Sequence, residues 1–375
     1  MRITRVQVFT YDAAYRDGVY GISGGRAASS QRSLVVRIDT DRGITGWGEI
    51  CPHGRTYLPS FFEGELAALG VLAPALIGQD PRNLGAVGRI MDHQLLANNP
   101  AKAALDSACW DIFGKVVDLP VSELLGGRLT DTLPLFTSLP VAGAETQARH
   151  AVDELRAGFR VFQVKVGDDP VEDSDRVRAV VDAVGPNCTV LVDANGGWTL
   201  TSALIAANRL ADLPVRLEQP CRSMADCAEL RAHTNLPLIL DESVVTFADL
   251  VHARHVVGAT GINLKPSRVG GLTKARLMRD AAQALGMTFT VDDTWGSSLA
   301  TAQIAAVGAG AQPELLTGVT NFATVTTPQL GAGVDQLQGG RSTVPTASGL
   351  GVDIDAERFT DALVDTAACI QSPRG

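Results

Sequence analysis

The sequence lacks several features that would assign it to particular classes of protein. No stretch approaches the roughly 18 consecutive apolar residues of a membrane-spanning helix, and no basic tract is present. The formal net charge of −9 argues against binding to nucleic acid or to anionic membranes. The first residues form a charged amphipathic segment without the apolar centre of a signal peptide, so we expect a cytoplasmic protein.

Cysteine is also scarce, and no two cysteines form a CxxC pair. A chain of 375 residues with 45% hydrophobic and 19% charged residues is expected to bury a large core, in more than one domain. Without an export signal, free buried thiols are the expected state of the cysteines. The cysteines are Cys51, Cys109, Cys188, Cys221, Cys227 and Cys369.

The hydrophobic pattern changes near residue 132. Before that point, three alternating segments predict antiparallel strands with a turn at residues 41–43, and three helical patterns follow. Residues 17–31 are rich in glycine and serine, and we expect a long exposed loop there. After residue 132, short β-rich segments alternate with helical patterns about eight times, which is the number of units in a parallel (β/α) barrel.

Five of the predicted barrel strands end in a charged residue. The outer two of these strands end in lysine and the three between them end in a carboxylate, at intervals of 23 to 28 residues. Since catalytic groups of a barrel sit at the carboxyl ends of its strands, we expect these side chains to lie together. They are Lys165, Asp193, Glu218, Asp241 and Lys265.

The residue types in this set indicate metal-assisted proton transfer. Three carboxylates without a histidine suit a hard, oxygen-ligated cation, with Mg²⁺ favoured over Zn²⁺. A lysine acts as a base only if its pKa falls from about 10.4 towards about 7–8, which a nearby cation and a second ammonium would promote. Each residue taken alone is as well explained by a solvated position or a salt bridge, but the regular spacing of all five favours a site.

The segments that carry these residues, VFQVKVG, TVLVDAN, VRLEQPC, LPLILDES and GINLKPS, resemble the enolase superfamily in its mandelate racemase/muconate lactonizing enzyme-like branch. The resemblance covers essentially the whole chain. It implies an N-terminal α+β capping domain over residues 1–128 and a modified TIM (β/α)₇β barrel over residues 129–325. Residues 326–375 are then a C-terminal segment that returns to the capping domain.

The resemblance also implies roles for the strand-end residues. The three carboxylates match Mg²⁺ ligands, and the two lysines match acid and base residues on opposite faces of the substrate. One departure is Gln163, which stands where many members have a second lysine two residues before Lys165. A neutral amide there removes a cation that would help to lower the pKa of Lys165.

Within the superfamily, the segments INLKPSRVGGLTKARLMRD and VDDTWGSS resemble dehydratases of cis-3-hydroxy-L-proline. The N-terminal segments RDGVY and GWGEICPHGRTYLPS also resemble epimerases of 4-hydroxyproline betaine. The implied partner is a small carboxylate, namely a proline-like amino acid or a betaine, and the implied assembly is a homo-oligomer.

Further residues are candidates for substrate binding. A carboxylate after the seventh barrel strand suits a ring ammonium, and Trp295 suits either the wall of the site or plain core packing. The two tyrosines lie in capping-domain loops and suit a lid or a surface position. Phe322 is the only aromatic residue at the end of the eighth strand, which argues against a cage for a quaternary ammonium. The candidates are Asp292, Asp293, Thr294, Trp295, Tyr57, Tyr20, Asn195 and Phe322.

Three functions follow from these residues. The first is a lyase that removes an α-proton and then eliminates water, as in a cis-3-hydroxy-L-proline dehydratase. The second is a racemase or epimerase of proline derivatives, proline betaines, N-acyl amino acids or dipeptides. The third is a binding protein without catalysis, although such a protein would not need all five strand-end residues.

Overall fold

An antiparallel sheet begins the fold. The computed structural model describes residues 1–334, 336–337, 339–359 and 361–367. In the sheet, β1 pairs along its length with β4, and β4 pairs with β5. A short hairpin of β2 and β3 lies between the first two long strands. The strands are β1 (Ile3–Tyr15), β2 (Tyr20–Ile22), β3 (Arg26–Ala28), β4 (Ser30–Thr40) and β5 (Thr45–Ile50).

Most of residues 17–31 is exposed, as expected, but the segment forms a hairpin whose turn contacts the barrel. Ser23, at its turn, is fully buried, and its hydroxyl donates a hydrogen bond to the backbone carbonyl of Val166. A second contact of 3.3 Å joins Ser23 Oγ to Asn195 Oδ1. The hydrophobic pattern cannot reveal this arrangement, because polar contacts to the barrel hold the hairpin in place.

Four helices follow the sheet: α1 (Phe62–Ala75), α2 (Leu84–Gln94), α3 (Asn99–Val117) and α4 (Val121–Leu124). The long helix α3 packs directly on β5, where Gly46 and Gly48 point to the same face of the strand. A Cβ atom at Gly48 would lie 2.1 Å from the carbonyl oxygen of Ala104. Only glycine permits so close an approach of strand and helix.

Eight parallel strands form the barrel, in sequential order from the first to the last. A bridge between Leu135 and Val319 joins the two outer strands, so the barrel is nearly closed. The predicted barrel is therefore confirmed. After the short strand β6 (Thr132–Pro134), the barrel strands are β7 (Phe136–Leu139), β8 (Val161–Lys165), β9 (Thr189–Asp193), β10 (Val215–Glu218), β11 (Leu238–Leu240), β12 (Gly261–Leu264), β13 (Thr288–Val291) and β14 (Leu316–Val319).

Helices connect each barrel strand to the next, as the alternating pattern predicts. One connection continues from an α-helix into a π-helical turn at Ala253–Val257. The helices are α5 (Ala144–Ala157), α6 (Pro170–Val184), α7 (Leu200–Arg209), α8 (Met224–Ala232), α9 (Phe247–His252), α10 (Pro266–Val269), α11 (Leu272–Ala284) and α12 (Ser298–Gly308).

After the barrel, the chain runs back to the N-terminal sheet, where β15 and β20 both pair with β1. Three further pairings join β16 to β19, β17 to β18, and β18 to β6. A short 3₁₀ helix spans Ala356–Arg358. The remaining elements are α13 (Phe322–Val325), β15 (Thr326–Thr327), β16 (Gly331–Ala332), β17 (Gln336–Leu337), β18 (Arg341–Thr343), β19 (Asp353–Ile354) and β20 (Val364–Asp365).

Two other expectations concern the whole chain. The five described cysteines are free thiols and four of them are buried, while Cys369 lies outside the described residues. No described helix combines the length and the apolar character needed to cross a bilayer.

Candidate active site

The five strand-end residues come together at one end of the barrel. Lys165, Asp193 and Glu218 are the last residues of three neighbouring strands and are aligned by register. Asp241 and Lys265 directly follow the next two strands. All five are buried, and the three carboxylates are 0% exposed. Parallel strands of similar length explain this convergence, because each places its final side chain at the same level of the barrel.

Each lysine donates a hydrogen bond to one carboxylate of the cluster. Lys165 Nζ donates to Asp193 Oδ2 at 2.5 Å, and Lys265 Nζ donates to Asp241 Oδ2 at 3.0 Å. Arg268 also donates to Asp241, and this residue was not predicted. Burial alone would raise the pKa of Asp241, but Arg268 and Lys265 outweigh burial and lower that pKa to about 2. This carboxylate is therefore ionised throughout the physiological pH range.

Glu218 has a different environment. Its oxygens accept hydrogen bonds from the amides of Gln163 and Asn263, each at 2.9 Å, and both donors are neutral. Burial, followed by the charges of Asp193 and Asp241, raises the pKa of Glu218 well above its usual range. An ionised Glu218 therefore needs more positive charge than its hydrogen-bond donors provide.

A fourth carboxylate, which sequence reasoning missed, lies beside the other three. Asn195 Nδ2 donates to Glu242 Oε1 and to Asp193 Oδ2, both at 3.0 Å. The second oxygen of Glu242, Oε2, is buried and has no hydrogen-bond partner among the described residues. An unsatisfied buried carboxylate oxygen beside two further acids fits a cation as its missing partner. The only feature of the sequence that could have indicated Glu242 is its position directly after Asp241.

The donor set fits a hard divalent cation, although the present side-chain arrangement differs from a metal site. Within residues 1–334 and the described parts beyond them, no three acidic, histidine or cysteine side chains are grouped to hold a metal ion. The reason is that the ammonium groups of Lys165 and Lys265 are the partners of Asp193 and Asp241. Metal binding by the three carboxylates remains a prediction, and it would require these two ion pairs to loosen.

The same ion pairs determine the protonation of the lysines. Burial lowers the pKa of Lys165 and of Lys265, but the neighbouring carboxylates, Asp193 and Asp241 respectively, outweigh burial and raise each pKa above the usual value. Both side chains are therefore held as ammonium ions. A neutral lysine base requires the carboxylate charge beside it to be neutralised, and a cation bound among the carboxylates would do this.

A cavity of about 330 Å³ adjoins the cluster, and both lysines line it. Asp292 also lines the cavity, where it accepts a hydrogen bond from Thr320 Oγ1 at 2.6 Å and lies 3.5 Å from Lys265 Nζ. Asp293 lines it too, but its oxygens accept hydrogen bonds from Ser267 and from the backbone N–H of Thr294. Of the two predicted carboxylates, Asp292 is thus the one with capacity for a further partner.

The next two predicted residues join the barrel to the capping domain. Thr294 Oγ1 donates to the carbonyl of Cys51 at 2.6 Å, and Trp295 Nε1 donates to the carbonyl of Ala13 at 3.0 Å. Trp295 is buried and also lines the cavity, so it combines the two roles that the sequence left open. These contacts fix the capping-domain segments over the mouth of the barrel.

The predicted tyrosines reach the cavity from the capping domain. Tyr57 Oη accepts a hydrogen bond from Lys265 Nζ at 3.0 Å and donates one to Asp241 at 3.2 Å. Tyr20 packs edge-on against Trp295, with ring centroids 5.5 Å apart. Neither tyrosine is a plain surface aromatic. Burial, followed by the charge of Asp241, raises the pKa of Tyr57 well above its usual value, so its hydroxyl stays protonated.

The wall of the cavity is more aromatic than the sequence suggested. Phe322 packs 6.4 Å from Trp295, and two residues that we did not predict, Tyr15 and His53, pack on the other sides of Trp295. These rings come from four separate segments, so no local sequence signal connects them. The aromatic residues that line the cavity near Trp295 are Tyr15, Tyr20, His53, Tyr57 and Phe322.

Comparison with known proteins agrees with this geometry. The domain described as Enolase C-terminal domain-like matches residues 146–358, and the mandelate racemase/muconate lactonizing enzyme N-terminal domain matches residues 15–126. A cis-3-hydroxy-L-proline dehydratase from Roseibium aggregatum is 38% identical over 94% of this chain and 96% of its own length.

Two further similarities point the same way. An N-succinyl-L-Arg/Lys racemase from Bacillus cereus is 32% identical over 80% of this chain and 82% of its own length. A solved structure of an enolase superfamily member from Roseovarius nubinhibens, complexed with magnesium, aligns with a TM-score of 0.90 and 33% identity. That alignment covers 97% of this chain and 99% of the other. The chain therefore belongs to the mandelate racemase/muconate lactonizing enzyme family of the enolase superfamily.

Proposed function

We propose that this protein is a Mg²⁺-dependent hydro-lyase that dehydrates cis-3-hydroxy-L-proline. The observation that carries the proposal is a single cavity lined by two buried lysines, a carboxylate with capacity for a cationic partner and an aromatic wall. This combination suits a small amino acid with a ring ammonium. The 38% identity to a dehydratase of this substrate over nearly its whole length supports the same choice.

Asp193, Glu218 and Asp241 would hold the Mg²⁺, with Glu242 beside them. A cation in this position supplies stabilisation of the negative charge that develops on the substrate carboxylate as the α-proton leaves. The residues fit such an ion because the Glu218 charge is opposed only by neutral donors and Glu242 Oε2 lacks a partner.

Lys165 and Lys265 would transfer the protons. One of them, as a neutral amine, takes the α-proton of the substrate, and an ammonium delivers a proton to the departing C3 hydroxyl. Loss of these two groups as water leaves an enamine, which tautomerises to Δ¹-pyrroline-2-carboxylate. Two lysines that line one cavity supply the acid and the base without a further proton carrier.

Asp292 and the aromatic residues would position the ring. A carboxylate next to the catalytic lysine pairs with the ring ammonium, which places Cα between the lysines. Trp295 and its neighbours cover the apolar carbons and exclude water from the reacting centre.

Epimerisation is the second candidate function, and a specific observation favours it. The aromatic wall contains more rings than the sequence indicated, and rings around a cation are the usual means of binding a quaternary ammonium. A betaine of hydroxyproline would fit this wall, and a lysine on each face of Cα suits a 1,1-proton transfer.

The test is incubation in ²H₂O with Mg²⁺ and, separately, L-proline, cis-3-hydroxy-L-proline and 4-hydroxyproline betaine. We expect Δ¹-pyrroline-2-carboxylate to form from cis-3-hydroxy-L-proline, at a rate at least about 100-fold lower in Lys165→Ala and Lys265→Ala. If cis-3-hydroxy-L-proline takes up α-deuterium without forming Δ¹-pyrroline-2-carboxylate, the dehydratase is rejected and the epimerase is favoured. Near-normal activity of either lysine variant would contradict the two-lysine mechanism.

A further inference from the structure

The wall of the cavity contains one polar side chain that the proposed mechanism leaves without a task. His53 follows β5 in the capping domain and lines the cavity. Its ring packs 5.4 Å from Trp295 and 5.8 Å from Tyr57, measured between centroids. The carbonyl of Cys51, two residues earlier, accepts the hydrogen bond from Thr294. His53 is therefore held in place by packing against two aromatic rings and by this anchor.

The hydrogen bonding of the ring indicates its tautomer. His53 Nδ1 is buried and has no hydrogen-bond partner among the described residues. A proton on Nδ1 would leave a buried donor unsatisfied, which is more costly than an unused lone pair. The proton therefore belongs on Nε2. Burial, followed by the charges of Lys165 and Lys265, lowers the pKa of His53 to about 4, so the ring is neutral near pH 7.

The cavity locates His53 relative to the chemistry. The His53 ring lines the same cavity as Lys165 and Lys265, and the reacting carbon of the substrate must sit between these two lysines. Because it belongs to the capping domain, it approaches that region from the mouth of the barrel, whereas the carboxylate cluster lies at the strand ends. The atoms of the substrate beyond Cα therefore face His53.

Three other polar groups of the wall are already engaged by the protein. Thr294 Oγ1 donates to Cys51, and Thr320 Oγ1 donates to Asp292. The amide of Asn195 donates to Asp193 and Glu242. Within the described part of the chain, no hydrogen bond engages the His53 ring, which lines the cavity. Among these groups, His53 is the donor that remains available to a ligand.

We propose that His53 is the specificity residue that donates a hydrogen bond from Nε2 to the C3 hydroxyl of the substrate. The proposal rests on the proposed function, because it assigns a role to the hydroxyl that the reaction removes. A hydroxyl placed against aromatic rings without a partner would be disfavoured, so this one donor makes the site select hydroxylated ring substrates over L-proline.

The test uses two variants that separate the nitrogen atoms from the ring. His53→Phe keeps a flat ring between Trp295 and Tyr57 but removes the donor, and His53→Gln keeps a donor near the position of Nε2. Binding is measured by calorimetry with saturating Mg²⁺ in a Lys165→Met/Lys265→Met background, in which neither lysine can transfer a proton. The ligands are cis-3-hydroxy-L-proline and L-proline.

We expect the background protein to bind cis-3-hydroxy-L-proline roughly five- to tenfold more tightly than L-proline. The ratio should fall to about one with His53→Phe and persist with His53→Gln. The inference is overturned if the background protein shows no preference or if His53→Phe keeps it. If the ratio falls as expected but the lysine-intact protein fails to dehydrate, hydroxyl recognition stands and the proposed function is wrong.

A kinetic measurement in the lysine-intact protein gives a second, independent readout. His53→Phe should reduce kcat/KM for dehydration of cis-3-hydroxy-L-proline by roughly tenfold or more, while α-deuterium exchange into L-proline changes less than about threefold. An equal loss in both reactions would show that His53 supports the fold of the site and would overturn hydroxyl recognition.

Discussion

Gln163 is the residue at which this chain departs from the Lys-x-Lys pattern at the end of its second barrel strand. Its amide nitrogen donates to Glu218 Oε2, and its amide oxygen accepts a hydrogen bond from Ser138 Oγ at 2.6 Å. The glutamine thus orients Glu218 without adding positive charge. Ionised Glu218 consequently depends on a cation from elsewhere for its charge balance, and Lys165 lacks a cationic neighbour two residues before it.

Gln163→Leu should weaken Mg²⁺ binding about 10- to 100-fold, because Glu218 loses one of the two donors that orient it. Calorimetric titration of the metal-free protein with Mg²⁺ measures this directly. Ser138→Ala is the matched control, since it removes only the hydrogen bond to the glutamine oxygen and should have the smaller effect. Equal affinities in wild type and Gln163→Leu would contradict the orienting role.

The sequence allowed the strand-end residues to be predicted because each ends an apolar segment of a repeated β-then-α unit. Arg268 could not be assigned in the same way, since its contact with Asp241 depends on how α10 turns back towards β11. His53 was missed because it lies in a loop without periodicity. Its importance arises only from packing against Trp295, more than 200 residues later in the chain.

At the scale of elements, close packing of β5 on α3 determines where the capping domain sits. The alternation of strand side chains turns Gly46 and Gly48 towards the helix, and the residue between them, Trp47, towards the opposite face. The backbone N–H of Trp47 also donates to Asp111 Oδ2 at 2.9 Å, so the strand and the helix are joined by a hydrogen bond as well as by packing.

Gly48→Ala should lower the free energy of unfolding by about 3 kcal/mol, because the new methyl group would overlap the Ala104 carbonyl and force strand and helix apart. Urea denaturation measures the loss. Gly88→Ala, in α2, is the control, since a Cβ atom there meets no atom within 4 Å and alanine favours a helix. If Gly48→Ala leaves the free energy of unfolding unchanged, β5 and α3 are packed less closely than described.

Glu49 connects the last residues of β5 to the start of α12. Its carboxylate is 1% exposed, and it accepts hydrogen bonds from Ser33 Oγ at 2.8 Å, from Ser297 Oγ at 2.6 Å and from Ala300 N at 3.0 Å. Tyr11 donates to it as well. The negative charge lies at the N-terminus of a helix, where backbone N–H groups and the helix dipole favour an anion.

Glu49→Ala should lower the free energy of unfolding by about 3 kcal/mol, because several buried donors lose their common acceptor. The change should also loosen the capping domain on the barrel, so limited proteolysis of the native protein complements urea denaturation. Glu63→Ala removes a carboxylate from exposed ion pairs with Arg32 and Arg55 and should have little effect. If the Glu49→Ala and Glu63→Ala variants have equal free energies of unfolding, Glu49 does not stabilise the contact between β5 and α12.

At the scale of the whole molecule, the contacts between the capping domain and the barrel include several that are polar and buried. Besides Glu49, Asp106 on α3 accepts hydrogen bonds from Thr273 Oγ1 at 2.6 Å and from Thr273 N at 3.0 Å, at the start of α11. Hydrophobic periodicity predicts which faces are buried but not which buried acid faces which helix. The relative placement of the two domains was therefore the part of the fold that the sequence could least specify.

Asp106 should make stability depend on pH. Burial raises its pKa to about 6, above the unfolded value, so the folded protein binds more protons. The contribution is therefore fully present below about pH 4 and is lost as the pH rises through about 6. Relative to wild type, Asp106→Asn should gain on the order of 2–3 kcal/mol between pH 4 and pH 7. Urea denaturation across this range tests the trend, and a constant difference would contradict it.

The pairing of β20 with β1 has a consequence for how the protein is made. Val364 lies opposite Val8, and Asp365 lies opposite Gln7 and forms an ion pair with Arg5. The first strand to leave the ribosome can pair with β4 early, but its other partner, β20, is synthesised more than 350 residues later. The barrel strands are all synthesised during this interval, so the sheet of the capping domain is completed last, around a barrel whose chain is already in place.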